Sequence, residues 1–142
     1  MEKEFVTYEQ ALALKELGFD EQCFGLWTLN NGNHTISLID ICSYSKEFKY
    51  REVLAPLKQQ VFRWFRDKYK IVPEIRNWSG SENQWYHMIY LSDGELLPWN
   101  WIKDKTYEEV ESACIDELIE ILKDPIFKHP QLKLGNMSSL VP

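Results

Sequence analysis

The segment from Leu54 to Lys70 divides into an apolar face and a polar face more cleanly than any other part of the chain. At about 100° per residue, one continuous arc of the helical wheel holds apolar side chains and the opposite arc holds polar ones. Pro56 suits the first turn of a helix, where a missing amide proton costs nothing. The segment therefore predicts an amphipathic helix with its apolar arc in the core. That arc consists of Leu54, Leu57, Val61, Phe62, Trp64, Phe65 and Tyr69.

Two further helices are predicted from capping boxes, in which a threonine and a Glu or Gln three residues later exchange side-chain and backbone hydrogen bonds. The boxes are Thr7 with Gln10 and Thr106 with Glu109, ahead of helices predicted over 8–17 and 107–123. The apolar arc of the last helix includes Leu118 and Leu122. We expect Val61, Trp64 and Phe65 to lie in the main core and to contact Leu118, Leu122 or the sheet. The carboxylates of the last helix are Glu108, Glu109, Glu111, Asp116, Glu117 and Glu120. Those in the first turn favour the helix dipole, and the rest are interpreted as a solvated face.

Two β-hairpins are predicted between these helices. The first joins runs 23–29 and 35–42 around an Asn-Gly pair, whose residues tolerate positive φ. The second joins runs 72–78 and 84–91. The resulting order is α-ββ-α-ββ-α, an α+β fold with a mostly antiparallel four-stranded sheet packed against helices. We expect one domain over residues 1–124 and an irregular, partly docked tail over 125–142.

Composition excludes several classes of protein. A chain of 142 residues is long enough to bury one core without disulfides. Its start has no apolar leader and no run approaches the length of a membrane span, so we expect a cytoplasmic protein without a membrane partner. The net charge of −6 disfavours a dedicated nucleic-acid binder, because the chain repels polyanions at long range. It does not exclude a local basic patch.

Three segments resemble a known family. They read YEQALALKELGFDE (8–21), LAPLKQQVFRWFRDKY (54–69) and YEEVESACIDELIEILK (107–123). These segments resemble small uncharacterised proteins encoded by gut Bacteroidetes and by their phages or mobile elements. The resemblance covers the three helices, about a third of the chain, and not the hairpins between them. Because that family has no established activity, the resemblance implies a genomic setting and no catalytic residues.

Motifs for metals, cofactors and nucleotides are absent from the sequence. Cys23, Cys42 and Cys114 form no CxxC pair, and no HExxH or phosphate-binding glycine loop occurs. We therefore predict no metal ligands and no cofactor. His87 is the one candidate for acid–base chemistry, with Asp93 as the nearest acid downstream. The favoured interpretation of His87 is a core or sheet-face histidine, and no catalytic residue is assigned.

Two interaction surfaces are predicted instead. Trp99 and Trp101 lie in a long connection, where tryptophans serve either as a lid on the core, the favoured interpretation, or as a binding hot spot. Between Ala55 and Lys70 the second helix carries an excess of cations that stands out from the rest of the surface, with five cations (Lys58, Arg63, Arg66, Lys68 and Lys70) and one carboxylate, Asp67. Its predicted exposed stripe consists of Gln59, Arg63, Arg66 and Lys70.

Three functions are compatible with these features. The leading hypothesis is a non-enzymatic accessory or protein-interaction module with an unidentified protein partner. The alternative is a nucleic-acid-associated protein that uses the basic face of the second helix, and the third is an enzyme with a site near His87. The stripe is also compatible with a purely solvated face, or with an acidic partner such as the third helix of a second copy of this chain.

Overall fold

In the computed structural model, residues 1–39, 52–80, 82–91, 93–97 and 105–124 are described. The fold is α+β, and these residues form three α-helices and five strands in two antiparallel sheets. The elements are a short 3-10 turn (Glu2–Glu4), α1 (Tyr8–Glu16), β1 (Gly25–Asn30), β2 (Asn33–Leu38), β3 (Glu52–Ala55), α2 (Lys58–Tyr69), β4 (Val72–Asn77), β5 (Trp85–Tyr90) and α3 (Tyr107–Lys123). The predicted tail over 125–142 lies outside the described residues.

The predicted four-stranded sheet and the order α-ββ-α-ββ-α are wrong in detail. The described strands form a three-stranded sheet in the order β2-β1-β3 and a separate two-stranded sheet, β4-β5. The unforeseen strand is β3, whose Ala55 and Leu54 pair with Gly25 and Leu26. The helical wheel had included Leu54 at the start of the second helix, but α2 begins only at Lys58. The apolar run just before Pro56 has only three residues, Val53, Leu54 and Ala55, which is too short for periodicity to distinguish strand from helix.

Both predicted hairpins are present. In the first, Asn31 and Gly32 adopt positive φ angles of 49° and 80° between the paired residues Asn30 and Asn33. A two-residue turn with both φ angles positive matches the twist of antiparallel strands. In the second, Val72 pairs with Tyr90 and the register continues along β4 and β5.

The two helix starts that were predicted from capping boxes are confirmed. The side chain of Thr7 accepts a hydrogen bond from the Gln10 amide, and Gln10 accepts one from the Thr7 amide in return. Thr106 and Glu109 form the same reciprocal pair at the start of α3. These boxes satisfy amides that would otherwise be unpaired at the first turn.

The apolar arc of α2 lies in the core, as predicted. Val61 and Phe65 are fully buried, Trp64 is nearly so, and Leu118 and Leu122 of α3 belong to the same cluster. Helix α2 contacts both α3 and β4. Because one face of α2 is held by this core, the opposite face is presented to solvent on a fixed support.

Candidate functional site

The four residues of the predicted stripe share the outer face of α2. Gln59, Arg63, Arg66 and Lys70 are all exposed. Their spacings of four, three and four residues place them along one side of the helix. The exposure predicted for the stripe is therefore observed, while its role in binding stays a prediction.

The cations of the stripe are weakly engaged within the chain. Arg63 Nη2 lies 3.9 Å from Glu21 Oε2, and both side chains are exposed. Arg66 forms no ion pair with any residue that the structure describes. Lys70 caps the helix in a left-handed conformation (φ 58°), and its Nζ donates to the main-chain oxygen of Asp67 at 2.9 Å. Exposed ion pairs such as that of Arg63 contribute little energy, so these cations remain available to a partner.

One predicted surface cation is buried instead. Lys58 Nζ lies 3.6 Å from Glu111 Oε1, and each of the two side chains is only 7% exposed. The other oxygen of Glu111 accepts a hydrogen bond of 2.7 Å from Gln59 Nε2. The interpretation of Glu111 as part of a solvated face is therefore wrong. Burial raises the pKa of Glu111, an effect that Gln59 and Lys58 partly offset.

The burial of Lys58 changes the surface charge of α2. Four cations of the helix and its C-cap remain exposed beside one exposed carboxylate, Asp67, which makes the outward charge +3 rather than +4. Lys68 is not part of the stripe, because its Nζ lies over the rings of Trp64 and Tyr69 at 5.1 and 5.5 Å from their centroids.

An open cleft of about 720 Å³ adjoins the N-terminal half of the stripe. Its most accessible apolar side chain is Phe24, which is 50% exposed immediately before β1. Gln60 supports the opposite wall by donating to the main-chain oxygen of Gln22 at 2.7 Å and to Glu21 Oε2 at 3.3 Å. The cleft is lined by Glu21, Gln22, Phe24, Leu57, Gln59, Gln60 and Arg63.

Sequence reasoning did not identify Phe24 as a surface residue. The sequence placed Phe24 inside a strand predicted over 23–29, but β1 begins only at Gly25 and Phe24 lies at a bend between the buried residues Cys23 and Gly25. The sequence pattern therefore held no signal for its outward position.

A second polar arrangement lies between β5 and α3. His87 is 8% exposed, and its Nε2 is 2.6 Å from Glu117 Oε2. The favoured interpretation of His87 as a core or sheet-face histidine agrees with this burial, but its acidic partner is Glu117 and not Asp93. A pocket of about 100 Å³ borders the histidine. It is lined by Trp85, Tyr86, His87, Lys105, Glu109, Val110 and Ala113.

The remaining candidates are the two tryptophans of the long connection and the three cysteines. Trp99 and Trp101 lie outside the described residues, as does Cys42. Cys23 and Cys114 are buried free thiols. Burial raises the pKa of Cys23 to about 12 and raises the pKa of Cys114 still further, so neither provides a thiolate near neutral pH.

Within the described part of the chain, no three His, Cys, Asp or Glu side chains are grouped to hold a metal ion. In the same residues, no helix combines the length and the apolar character needed to span a bilayer.

No protein-family model, curated protein or solved structure matches this chain. The resemblance of the three helices to proteins of gut Bacteroidetes and their mobile elements therefore stays a prediction. The two sites that bear on function are the α2 stripe with its adjoining cleft and the pair of His87 and Glu117.

Proposed function

We propose that this protein is an interaction module that binds an acidic surface of a protein partner through the outer face of α2. The observation that carries the proposal is the alignment of Arg63, Arg66 and Lys70 on one exposed side of a helix whose other side is locked in the core. A rigid support favours binding, because little conformational freedom is lost when the partner docks. The arrangement therefore suits a binding role without further rearrangement.

A protein partner fits the stripe better than nucleic acid does. Helix α2 has 12 residues and is about 18 Å long, and its outward charge is only +3. Tight nucleic-acid binders commonly engage about 6–10 phosphates, far more than this face can neutralise. The net charge of −6 further opposes a polyanion at long range. An acidic protein patch is smaller and better matched to three cations.

The test uses charge reversal with a matched control. The double variant Arg63→Glu and Arg66→Glu removes the stripe, while Lys15→Glu and Lys123→Glu reverse two exposed cations on other helices. Both variants change the net charge equally, so a difference between them reports the stripe. Fluorescence anisotropy would measure binding of labelled acidic peptides, each with one apolar residue, and of a short DNA duplex at about 50 and about 200 mM salt.

The proposal expects peptide binding that weakens with salt, is lost in the stripe variant and persists in the control. Preferential binding of the duplex with a steep salt dependence would instead support the nucleic-acid alternative. Equal behaviour of the two variants, or no peptide binding to the unmodified protein, would overturn the proposal. Exposed charges contribute little to folding, so both variants should keep the melting temperature of the parent protein.

A second candidate function is acid–base catalysis at His87, favoured by the bond of 2.6 Å to Glu117 beside a pocket. An ionised carboxylate only accepts hydrogen bonds, so a neutral His87 paired with it carries its proton on Nε2. The ring nitrogen Nδ1 is then a proton acceptor, as a general base requires. Saturable turnover in a panel of hydrolytic substrates that disappears in His87→Ala would support this function. Turnover that is unaffected by His87→Ala would exclude it.

A further inference from the structure

The cleft beside α2 combines two kinds of contact that protein interfaces use. Phe24 offers an exposed aromatic surface, and Leu57 continues the apolar lining. Around them stand hydrogen-bonding amides and, at one end, the guanidinium of Arg63. Aromatic residues and arginine are enriched at binding hot spots, and an apolar anchor normally sits inside a polar rim.

Glu21 occupies a position that a partner carboxylate would take. It lies on the wall of the cleft, 3.9 Å from Arg63 Nη2, and accepts a hydrogen bond of 3.3 Å from Gln60. The pair with Arg63 is long and exposed, so exchanging Glu21 for another carboxylate costs little. The position of Glu21 therefore indicates where a carboxylate of a partner would bind, and Glu21 competes with that carboxylate for Arg63.

We propose that the cleft holds one apolar side chain of an extended acidic segment from a partner protein, with the acidic residues of that segment paired to the α2 stripe. This inference rests on the proposed function and specifies its partner. Charge complementarity selects the occupant, because Arg63 lines the cleft and the exposed cations Arg66 and Lys70 follow it along the same side of α2.

The helix spacing defines a sequence pattern for the partner. Along the axis of α2, Gln59 at the cleft is about 6 Å from Arg63 and about 10.5 Å from Arg66. In an extended peptide, side chains on one face recur every second residue, about 6.7 Å apart. When an apolar residue of the peptide lies in the cleft, the residue two positions further along therefore lies beside Arg63. The residue four positions further along lies between Arg66 and Lys70. The predicted pattern is apolar-x-acidic-x-acidic, read in one chain direction or the other.

The experiment uses the full chain and short fluorescein-labelled peptides. One peptide carries Leu-x-Glu-x-Glu, a second carries the reverse order, and a third of identical composition places Leu and both Glu side by side. We expect one of the two spaced peptides to bind more tightly than the contiguous one. Replacement of its Leu by Ala should weaken binding at least about tenfold, as for a hot-spot anchor. Equal affinity of all three peptides would overturn the inference.

Variants of the cleft provide an independent test of the inference. Phe24→Ser should weaken binding of the preferred peptide at least about tenfold, whereas Trp78→Ser, at an aromatic residue that is 63% exposed on the other hairpin, should not. Glu21→Gln should strengthen binding by up to about fivefold, because it removes the internal competitor for Arg63. Glu16→Gln, an exposed carboxylate on α1, makes the same charge change and should leave the affinity within about twofold.

The outcomes separate this inference from the proposed function. Loss of binding in the Arg63→Glu and Arg66→Glu variant, together with unchanged binding in Phe24→Ser, would overturn the cleft and retain the stripe. Unchanged binding in both would overturn the cleft and the stripe together. Should Phe24→Ser fail to fold, the Leu-to-Ala peptide still decides the matter, because it leaves the protein intact.

Discussion

The buried pair of Lys58 and Glu111 leads to a prediction about pH-dependent stability. At 3.6 Å and an effective dielectric constant of about 20, their gross attraction is roughly 4–5 kcal/mol. Desolvation of both groups offsets much of this gain, so the intact pair adds little net stability. Removal of one partner leaves the other charge buried and unpaired. We therefore expect Lys58→Met to lower the free energy of unfolding by about 3–5 kcal/mol near pH 7.5.

That loss should shrink as the pH falls. Burial raises the pKa of Glu111 in the folded state above its unfolded value of about 4.3. A carboxyl group with a raised folded pKa contributes stability that is fully present below the unfolded pKa and is lost as the pH rises through the folded pKa. Since Lys58 lowers the pKa of Glu111, removal of Lys58 raises that pKa further. The stability gained from a protonated Glu111 then persists to a higher pH. The difference between Lys58→Met and the parent should therefore be smaller at about pH 5 than at about pH 7.5.

Urea denaturation at several pH values measures this difference. Arg66→Met is the matched control, since it removes an exposed cation from the same helix and should change stability by less than about 0.5 kcal/mol. The double variant Lys58→Met and Glu111→Leu should recover most of the lost stability, because no unpaired charge remains. A loss below about 1 kcal/mol in Lys58→Met that does not vary with pH would refute the argument.

Three further predictions concern the fold. Phe65→Ala should cost about 3–5 kcal/mol in urea denaturation, because this ring is fully buried; a nearly unchanged midpoint would contradict the packing of α2. Gly25→Ala should cost about 1–3 kcal/mol by the same measurement, since a Cβ there would lie 2.6 Å from the Phe5 ring and 2.8 Å from the main-chain oxygen of Ala55. Thr106→Ala should lower the melting temperature and cost about 1 kcal/mol through loss of its cap; Thr106→Ser should restore it.

Local patterns predicted the helices and hairpins well, because each is determined by residues close in sequence. Capping boxes depend on residues three apart, and the turn at Asn31 and Gly32 depends on two φ angles. The pairing of β1 with β3 was missed because it joins segments separated by a long stretch of chain. Short strands carry too little periodicity to identify such a partner.

The buried pair of Lys58 and Glu111 could have been predicted from the helical wheels of α2 and α3. On the helical wheel, Lys58 lies about 40° from Leu54, within the apolar arc of α2, and Glu111 lies about 100° from Val110, within the apolar arc of α3. A cation in one buried arc and a carboxylate in another together indicate a pair across the helix interface. By contrast, the partner of His87 could not be predicted from the sequence, because Glu117 lies outside the apolar arc of α3 and nothing in its position sets it apart from the other carboxylates of that helix.

The charges of α2 therefore fall into two groups, one buried and one exposed. Lys58 faces inward and is neutralised by Glu111, so its removal changes the stability of the fold. Arg63, Arg66 and Lys70 face outward, and exposed charges contribute little to folding. Because we expect reversal of these exposed cations to leave stability nearly unchanged, a loss of peptide binding at an unchanged melting temperature reports recognition rather than unfolding. A charge scan along this single helix can thus separate what holds the protein together from what the protein binds.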